Sequence, residues 1–256
     1  MEHPLAEPPK EQYAACFNED GGAALVLVCD HASRFMPESY RDLGLSGADL
    51  ERHIAWDIGA LAVAQSIATT LDAPLVHPTA SRLIIDCNRD PATTPDSIPP
   101  VSEDTIIPGN AAISAADRAQ RIATIYEPFH ALVDATMARQ RARAGKIALI
   151  AIHSFTPVYH GEPRPWDIGV IIGDKSGFGE RLVSLLKAQA GLTVGINEPY
   201  SPDDRVYHTL ERHGVAHDLP TAMIEVRQDH LAGESGQRAW AARLSEALRQ
   251  IVEALA

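Results

Sequence analysis

Histidine and carboxylate side chains stand at the ends of several apolar runs in this chain. His31 follows the run LVLVC, His153 follows IALIAI, and Glu225 follows TAMI. Two imidazoles and one carboxylate are common protein ligands of a catalytic zinc ion, which keeps a further position open for water. We expect Asp57 to supply the carboxylate from the first turn of the next helix, although an acid there also suits the helix dipole. Asp30 is nearer to His31 in sequence, but neighbouring side chains of a strand alternate, so we expect it to point away.

The apolar runs alternate with helical patterns, which indicates an α/β fold with a central, mixed but mostly parallel sheet flanked by helices. Helical spacing of apolar residues is clearest between 54 and 71 and between 117 and 143. Ligands of such folds bind at the carboxyl ends of the strands, where these polar residues would meet. The predicted strands are residues 24–29, 83–87, 146–152, 168–172 and 221–226.

Composition narrows the class of protein. The 256 residues predict one catalytic domain over 21–256, preceded by a loose, Pro-rich arm at 1–20. A net charge of −12 argues against nucleic acid as a partner and requires a local basic pocket for any anionic substrate. We expect no membrane span and no export signal, and therefore a cytoplasmic protein. The three cysteines are too few and too scattered for a disulfide framework or a cysteine-based zinc site.

Six short motifs occur in order over roughly residues 25 to 235: DHAS, WDIGA, SRLIIDCNRD, IHSFTP, NEPYSP and IEVRQDH. On these motifs the chain resembles the N-formylglutamate amidohydrolase family, which is similar in arrangement to zinc carboxypeptidases, aspartoacylases and zinc muramoyl-alanine amidases. The resemblance implies a zinc-peptidase-like hydrolase fold. It also implies metal-dependent hydrolysis of a small, acidic N-acyl amino acid. The leading substrate is N-formyl-L-glutamate, cleaved to formate and L-glutamate as in histidine degradation.

The resemblance also implies roles for individual residues. Zinc would bind His31, Asp57 and His153, while Glu225 would act as general base and Arg227 would stabilise the oxyanion. We further expect Asp30 to orient the imidazole of His31. A guanidinium grips a carboxylate through two parallel hydrogen bonds, so arginines should dominate the substrate pocket. The expected substrate-binding residues are Arg82, Asn88, Arg89, Ser154 and Arg34.

Departures from the family pattern keep alternatives open. The peptidases have an acidic ligand three residues after the first histidine, where this chain has Arg34, and this moves the ligand role to Asp57. DHAS differs from the PHSG of the histidine-degradation enzymes, which leaves the acyl group and the amino acid open. The alternatives are a zinc amidase or carboxypeptidase acting on a peptide or cell-wall fragment, and a non-catalytic binding protein of the same fold. His208 and His213 are more consistent with a surface position than with a role in the site, and the sequence leaves the oligomeric state open.

Overall fold

A seven-stranded sheet runs through the middle of the molecule. The structure is a computed structural model that describes residues 13–253. Along the sheet the strand order is β1-β3-β2-β6-β11-β9-β10, and only the β1–β3 and β11–β9 pairs are antiparallel. The predicted mixed, mostly parallel α/β sheet is therefore confirmed. The strands of the described residues are β1 (Ala14–Phe17), β2 (Leu25–Val28), β3 (Leu75–Pro78), β4 (Val101–Ser102), β5 (Thr105–Ile106), β6 (Ala148–Phe155), β7 (Val158–Tyr159), β8 (Glu162–Pro163), β9 (Ile168–Ile171), β10 (Val194–Ile196) and β11 (Thr221–Arg227).

Helices cover both faces of the sheet, so each central strand is apolar on both sides. In β2, Leu25 and Leu27 pack on the side of α2, α6 and α8, whereas Val26 and Val28 pack on the side of α5 and α7. Across residues 13–253, no helix combines the length and the apolar character that a membrane span requires. The α-helices are α1 (Gly47–Leu50), α2 (Ala60–Leu71), α3 (Pro108–Ala111), α4 (Ala115–Arg121), α5 (Glu127–Ala144), α6 (Phe178–Lys187), α7 (His208–His213) and α8 (Glu234–Val252).

One predicted strand is absent, and an unpredicted strand takes its place in the sheet. Residues 83–87 are buried but form turns, and β3 pairs with β2 instead. An apolar run of this length indicates burial without deciding between a strand and a packed loop. Hydrogen bonds from Ser81 Oγ to the carbonyl oxygen of Ala55, at 2.8 Å, and from the Asp86 N–H to that of Ser97, at 2.7 Å, hold the loop against its neighbours.

The beginning of the chain also differs from the sequence-based expectation. Residues 14–17 of the predicted loose arm form β1, an edge strand antiparallel to β3. An edge strand needs to pair on one side only, so it carries a weaker apolar signal than a central strand. Residues 1–12 of the predicted arm lie outside the described residues.

Candidate active site

Three adjacent parallel strands, β2, β6 and β11, bring the predicted histidines and Glu225 to one edge of the sheet. His31 lies just beyond β2, and His153 in β6 is directly opposite Glu225 in β11. The three residues are 5%, 2% and 4% exposed, so each must find a partner or a ligand inside the protein. They line a cleft of about 180 Å³.

Asp57 reaches the same cleft from the loop that precedes α2. We predicted that it opens the helix, but α2 begins at Ala60 after a left-handed Gly59 with φ of 78°. A Cβ atom at Gly59 would lie 2.6 Å from the Cβ of Leu231, so glycine allows both the turn and the close packing. The Asp57 N–H donates to the carbonyl oxygen of His31 at 2.9 Å. The carboxylate is thus tied to the first histidine through the backbone.

Each imidazole is held by a carboxylate on its Nε2 atom. His31 Nε2 lies 2.8 Å from Asp86 Oδ1, and His153 Nε2 lies 3.1 Å from Asp30 Oδ2. Asp30 therefore orients His153, not His31 as we expected from its place in the sequence. A carboxylate on one ring nitrogen fixes the orientation of a histidine whose other nitrogen binds a metal. The Nδ1 atoms of both rings consequently remain for a shared ligand.

The Nδ1 atoms and Asp57 converge on one point. Asp57 Oδ2 lies 3.4 Å from His31 Nδ1 and 2.8 Å from His153 Nδ1, and the three donor atoms all lie within 4.8 Å of one another. Ligands of a tetrahedral zinc ion stand roughly 3.4 Å apart, since zinc–nitrogen and zinc–oxygen bonds are about 2.0–2.1 Å. The donor set and its spacing fit a divalent ion of this kind. Arg82 Nη1 is 3.0 Å from His31 Nδ1, so an ion on that nitrogen would displace this contact.

The electrostatics of the ligand group favour a charged Asp57. Burial alone would raise the pKa of Asp57, but the charges of His31 and His153 and their hydrogen bonds outweigh it and lower the pKa. For His153 burial acts in the opposite direction and would lower the pKa. Asp30 and Asp57 outweigh it and raise the pKa of His153 well above its ordinary value. These carboxylates therefore favour the form of the His153 imidazole that carries a proton. Metal binding must release it, because a metal ligand needs the neutral imidazole.

Glu225 is the unpaired acid of the cleft. Its Oε2 atom finds no hydrogen-bond partner among residues 13–253, although the side chain is buried. Burial raises the pKa of Glu225 to about 7, against a lowering effect of the His153 charge. A carboxylate with a pKa near neutrality exchanges protons readily at physiological pH, as a general base requires.

Arg82 and Arg89 form the cationic side of the cleft around Asp86. Arg82 Nη2 donates to Asp86 Oδ2 at 2.6 Å, and its Nη1 is 3.5 Å from Asp57 Oδ1. Arg89 Nε lies 3.5 Å from Asp86 Oδ2, and Arg89 remains 23% exposed at the cleft. The Arg82 side chain is similarly exposed, at 26%, but its guanidinium contacts Asp57, Asp86 and His31, whereas the ion pair with Asp86 is the one such contact of Arg89 among residues 13–253. Arg89 therefore keeps more donors for an incoming anion.

Asn88 and Ser154 line the cleft, but their side chains bind the protein. Asn88 Oδ1 accepts from the Thr209 N–H at 3.0 Å, and Asn88 Nδ2 donates to the carbonyl oxygen of Val206. Ser154 Oγ donates to the carbonyl oxygen of Ile58 at 2.9 Å. In this arrangement the two residues shape the cleft by fixing adjacent loops, whereas we had expected them to contact substrate.

Arg34 and Arg227, two further predicted site residues, lie outside the cleft. Arg34 forms an ion pair with Glu51 and lies over Trp56, 5.5 Å from the ring centroid, in a separate cavity of about 590 Å³. Arg227 follows Glu225 by two positions in β11, as expected, but its Nε donates to Asp229 Oδ1 at 2.8 Å. Its guanidinium also donates to the backbone carbonyls of residues 164 and 166. Partners on neighbouring loops thus decide where these two long side chains go.

Several cleft residues escaped the sequence analysis because they belong to irregular segments. Tyr200 lies in the motif NEPYSP, and Tyr159 is the last residue of the two-residue strand β7; both side chains form part of the cleft wall. Glu103, in the turn between β4 and β5, lies 3.0 Å from His53 Nε2 at the same cleft. For Tyr200, the one sequence feature that pointed to the site was an aromatic residue within the motif NEPYSP.

The two histidines without an assigned role lie deeper than expected. His213 is 2% exposed, and its ring nitrogens lie 2.7 Å from His130 Nδ1 and 2.7 Å from Asp134 Oδ1. His208 Nε2 is 2.6 Å from the hydroxyl of Tyr126. The predicted surface position is therefore wrong for His213, which packs between α7 and α5.

Comparisons with known proteins bear on the family and on the fold. The family model described as N-formylglutamate amidohydrolase matches residues 23–232. The crystal structure of gene product Atu2144 from Agrobacterium tumefaciens superposes with a TM-score of 0.91 at 40% identity, over 95% of this chain and 96% of that one. An N-formylglutamate amidohydrolase from Ralstonia eutropha JMP134 has the same fold, with a TM-score of 0.67 at 20% identity, over 94% of this chain and 97% of that one. A search of curated proteins gave no match.

Proposed function

The chain belongs to the N-formylglutamate amidohydrolase family and is an amidohydrolase, and on that premise we propose that it uses one divalent metal ion to hydrolyse a small N-acyl amino acid. The leading candidate substrate is N-formyl-L-glutamate, with formate and L-glutamate as products. The proposal includes a place in histidine degradation and a cytoplasmic location.

One observation carries this proposal. A buried carboxylate without a hydrogen-bond partner, that of Glu225, shares a cleft with three converging metal donors. Leaving a buried carboxylate unpaired costs stability, and such costs are characteristic of catalytic groups. A non-catalytic binding protein would have no need of that group, so the arrangement supports turnover.

We propose that His31, Asp57 and His153 hold the metal ion, and that the ion is zinc. When bound, it supplies Lewis-acid chemistry: it polarises the carbonyl oxygen of the amide and lowers the pKa of a water molecule. Asp86 and Asp30 keep the two imidazoles in the orientation that presents Nδ1 to the cleft.

In this mechanism Glu225 moves the proton. Its carboxylate takes a proton from the attacking water and delivers it to the nitrogen of the leaving amine, so that the carbon–nitrogen bond breaks without forming an amide anion. The pKa of about 7 suits both halves of this transfer, because the group is neither too weak a base nor too weak an acid. The low exposure of the site limits competing proton exchange with bulk water.

The cationic wall supports an acidic substrate of small size. Arg89 makes one ion pair, at 3.5 Å, among residues 13–253 and keeps its other donors for a carboxylate, and Arg82 adds positive charge close to the metal donors. A cleft of about 180 Å³ is smaller than the roughly 300–1,000 Å³ of pockets for drug-sized ligands. Its size favours an N-acyl amino acid over a peptide or a cell-wall fragment.

The test is metal-dependent hydrolysis by the purified protein. The enzyme is stripped with a chelator, reloaded with zinc and assayed against N-formyl and N-acetyl derivatives of glutamate, aspartate and leucine. We expect hydrolysis only after reloading and fastest release from the N-formyl acidic substrates. His31→Ala and His153→Ala should bind less zinc than the parent. Equal zinc binding by these variants contradicts the metal site, and an absence of hydrolysis across the panel contradicts the proposed activity.

A further inference from the structure

The wall of the cleft contains a tyrosine that the mechanism above does not use. Tyr200 lies in the loop between β10 and α7 and lines the same cleft as Glu225 and Arg82. Its side chain is partly buried. A phenol hydroxyl is both a donor and an acceptor of hydrogen bonds. What Tyr200 does therefore depends on which of these two capacities the protein already uses.

Arg164 donates a hydrogen bond to the oxygen of the Tyr200 hydroxyl, which acts here as the acceptor. Arg164 Nη1 donates to the Tyr200 hydroxyl at 3.1 Å, and its guanidinium lies 4.8 Å from the centroid of the Tyr200 ring. The same guanidinium lies 4.5 Å from the ring centroid of Tyr159 and 5.8 Å from that of Phe155. Stacked cation–π contacts of this kind hold planar groups in a defined orientation. Arg164 thus fixes both the ring and the oxygen of Tyr200.

The proton of the Tyr200 hydroxyl is left for another partner. Among residues 13–253, the hydrogen bond from Arg164 is the only one that this hydroxyl makes. Burial, together with the nearby Glu225 charge, raises the pKa of Tyr200 to about 12, so the phenol keeps its proton at neutral pH. Tyr200 therefore presents a neutral donor to the cleft that it lines together with Glu225.

We infer that Tyr200 donates a hydrogen bond to the carbonyl oxygen of the scissile amide as negative charge develops there, and that Arg164 is the positioning residue that aims it. This inference rests on the proposed amide hydrolysis. The phenol and the base line one cleft of about 180 Å³, which is small enough for a bound amide to lie against both. A donor that is already oriented stabilises the developing oxyanion without reorganisation at the moment of reaction.

The test is a double-mutant cycle on the zinc-loaded full-length enzyme. Tyr200→Phe removes one oxygen atom and should lower kcat about 100-fold, near the lower end of the range for an oxyanion donor, with KM and zinc content close to those of the parent. Arg164→Gln should also lower kcat, but it should add little in the Tyr200→Phe background, because its effect passes through Tyr200.

A second arginine–tyrosine pair supplies the matched control. Tyr126 accepts a hydrogen bond from Arg212 Nη1 at 2.9 Å and also has a pKa raised by burial to about 12, but it lies outside the cleft. Tyr126→Phe should leave kcat within about two-fold of the parent.

The inference is overturned by any one of three results: Tyr200→Phe leaves kcat intact, Tyr200→Phe changes KM alone, or Arg164→Gln retains its full effect in the Tyr200→Phe background. An inactive parent enzyme would instead contradict the proposed function, and this inference with it.

Discussion

Replacing Glu225 by glutamine separates proton transfer from metal binding. The amide has the size and shape of the carboxyl group but cannot accept the proton of the attacking water. General base catalysis contributes about 100-fold to 10,000-fold, so activity should fall by that factor, or by roughly 3–5 kcal/mol in transition-state stabilisation. Because Glu225 Oε2 has no partner among residues 13–253, its replacement breaks no hydrogen bond there, and the fold should persist.

The pH dependence gives the same prediction a second readout. Burial raises the pKa of Glu225 to about 7, so the ionised fraction rises from roughly 0.1 at pH 6 to roughly 0.9 at pH 8. Only the ionised form acts as a base. We therefore expect kcat/KM to rise with pH by about ten-fold as Glu225 loses its proton. A bound cation lowers this pKa, so in the zinc-loaded enzyme the rise should lie at lower pH than 6 to 8, with the same sign. The residual activity of Glu225→Gln should lack this rise.

The assay combines release of formate or free amine with elemental analysis of the same samples. His153→Ala serves as the comparison, because a lost ligand should remove both zinc and activity. Glu225→Gln should keep the zinc content of the parent while losing activity. Loss of both would make Glu225 a ligand and remove Asp57 from that role. Full activity with full zinc would refute the assignment of Glu225 as the base.

Three further perturbations test the surroundings of the site. Arg89→Lys keeps the charge but loses the two-pronged geometry. The fall in kcat/KM for acidic substrates should correspond to a loss of about 2–3 kcal/mol in transition-state binding, and unchanged kinetics would count against the role of Arg89. Thr209 Oγ1 donates to Asp30 Oδ1 at 2.5 Å, so Thr209→Val should weaken zinc affinity about 10-fold to 100-fold through His153, whereas Thr209→Ser should not; equal affinities would disprove the link. Burial lowers the pKa of His130 to about 2, so the unfolded chain binds the extra proton and stability falls as pH drops below about 6.5. Urea unfolding at pH 7.5 and 5 should show a loss from this group of about 2 kcal/mol, which His130→Asn should remove; identical losses in both proteins would exclude it.

Local pattern was sufficient to locate the main polar residues of the site. A strand buried on both faces needs a continuous apolar run, and a polar residue can follow only where the run meets the edge of the sheet. The ends of these runs identified His31, His153 and Glu225 as neighbours in space. The motifs that surround them identified the family. The same reasoning failed at residues 83–87, because burial in a packed loop produces the same apolar run as burial in a strand.

The pairing of side chains depended on the order of strands and on the loops between them, which local pattern does not encode. Sequence proximity suggested Asp30 as the partner of His31, but neighbouring residues point in different directions, and Asp30 meets His153 from the adjacent strand. Asp86 takes the place beside His31 from a loop that we had predicted to be a strand.

Long side chains at the rim of the cleft also make contacts that the local sequence pattern does not predict. Arg227 has the expected position in β11, yet acceptors on neighbouring loops draw its guanidinium out of the cleft. Arg164 and Tyr200 are brought together by two irregular segments with no periodic signal. The sequence by itself determined which strands carry chemistry, because burial imposes a periodic pattern along the chain. Only the tertiary structure decided which atoms face one another, because that depends on contacts between segments far apart in sequence.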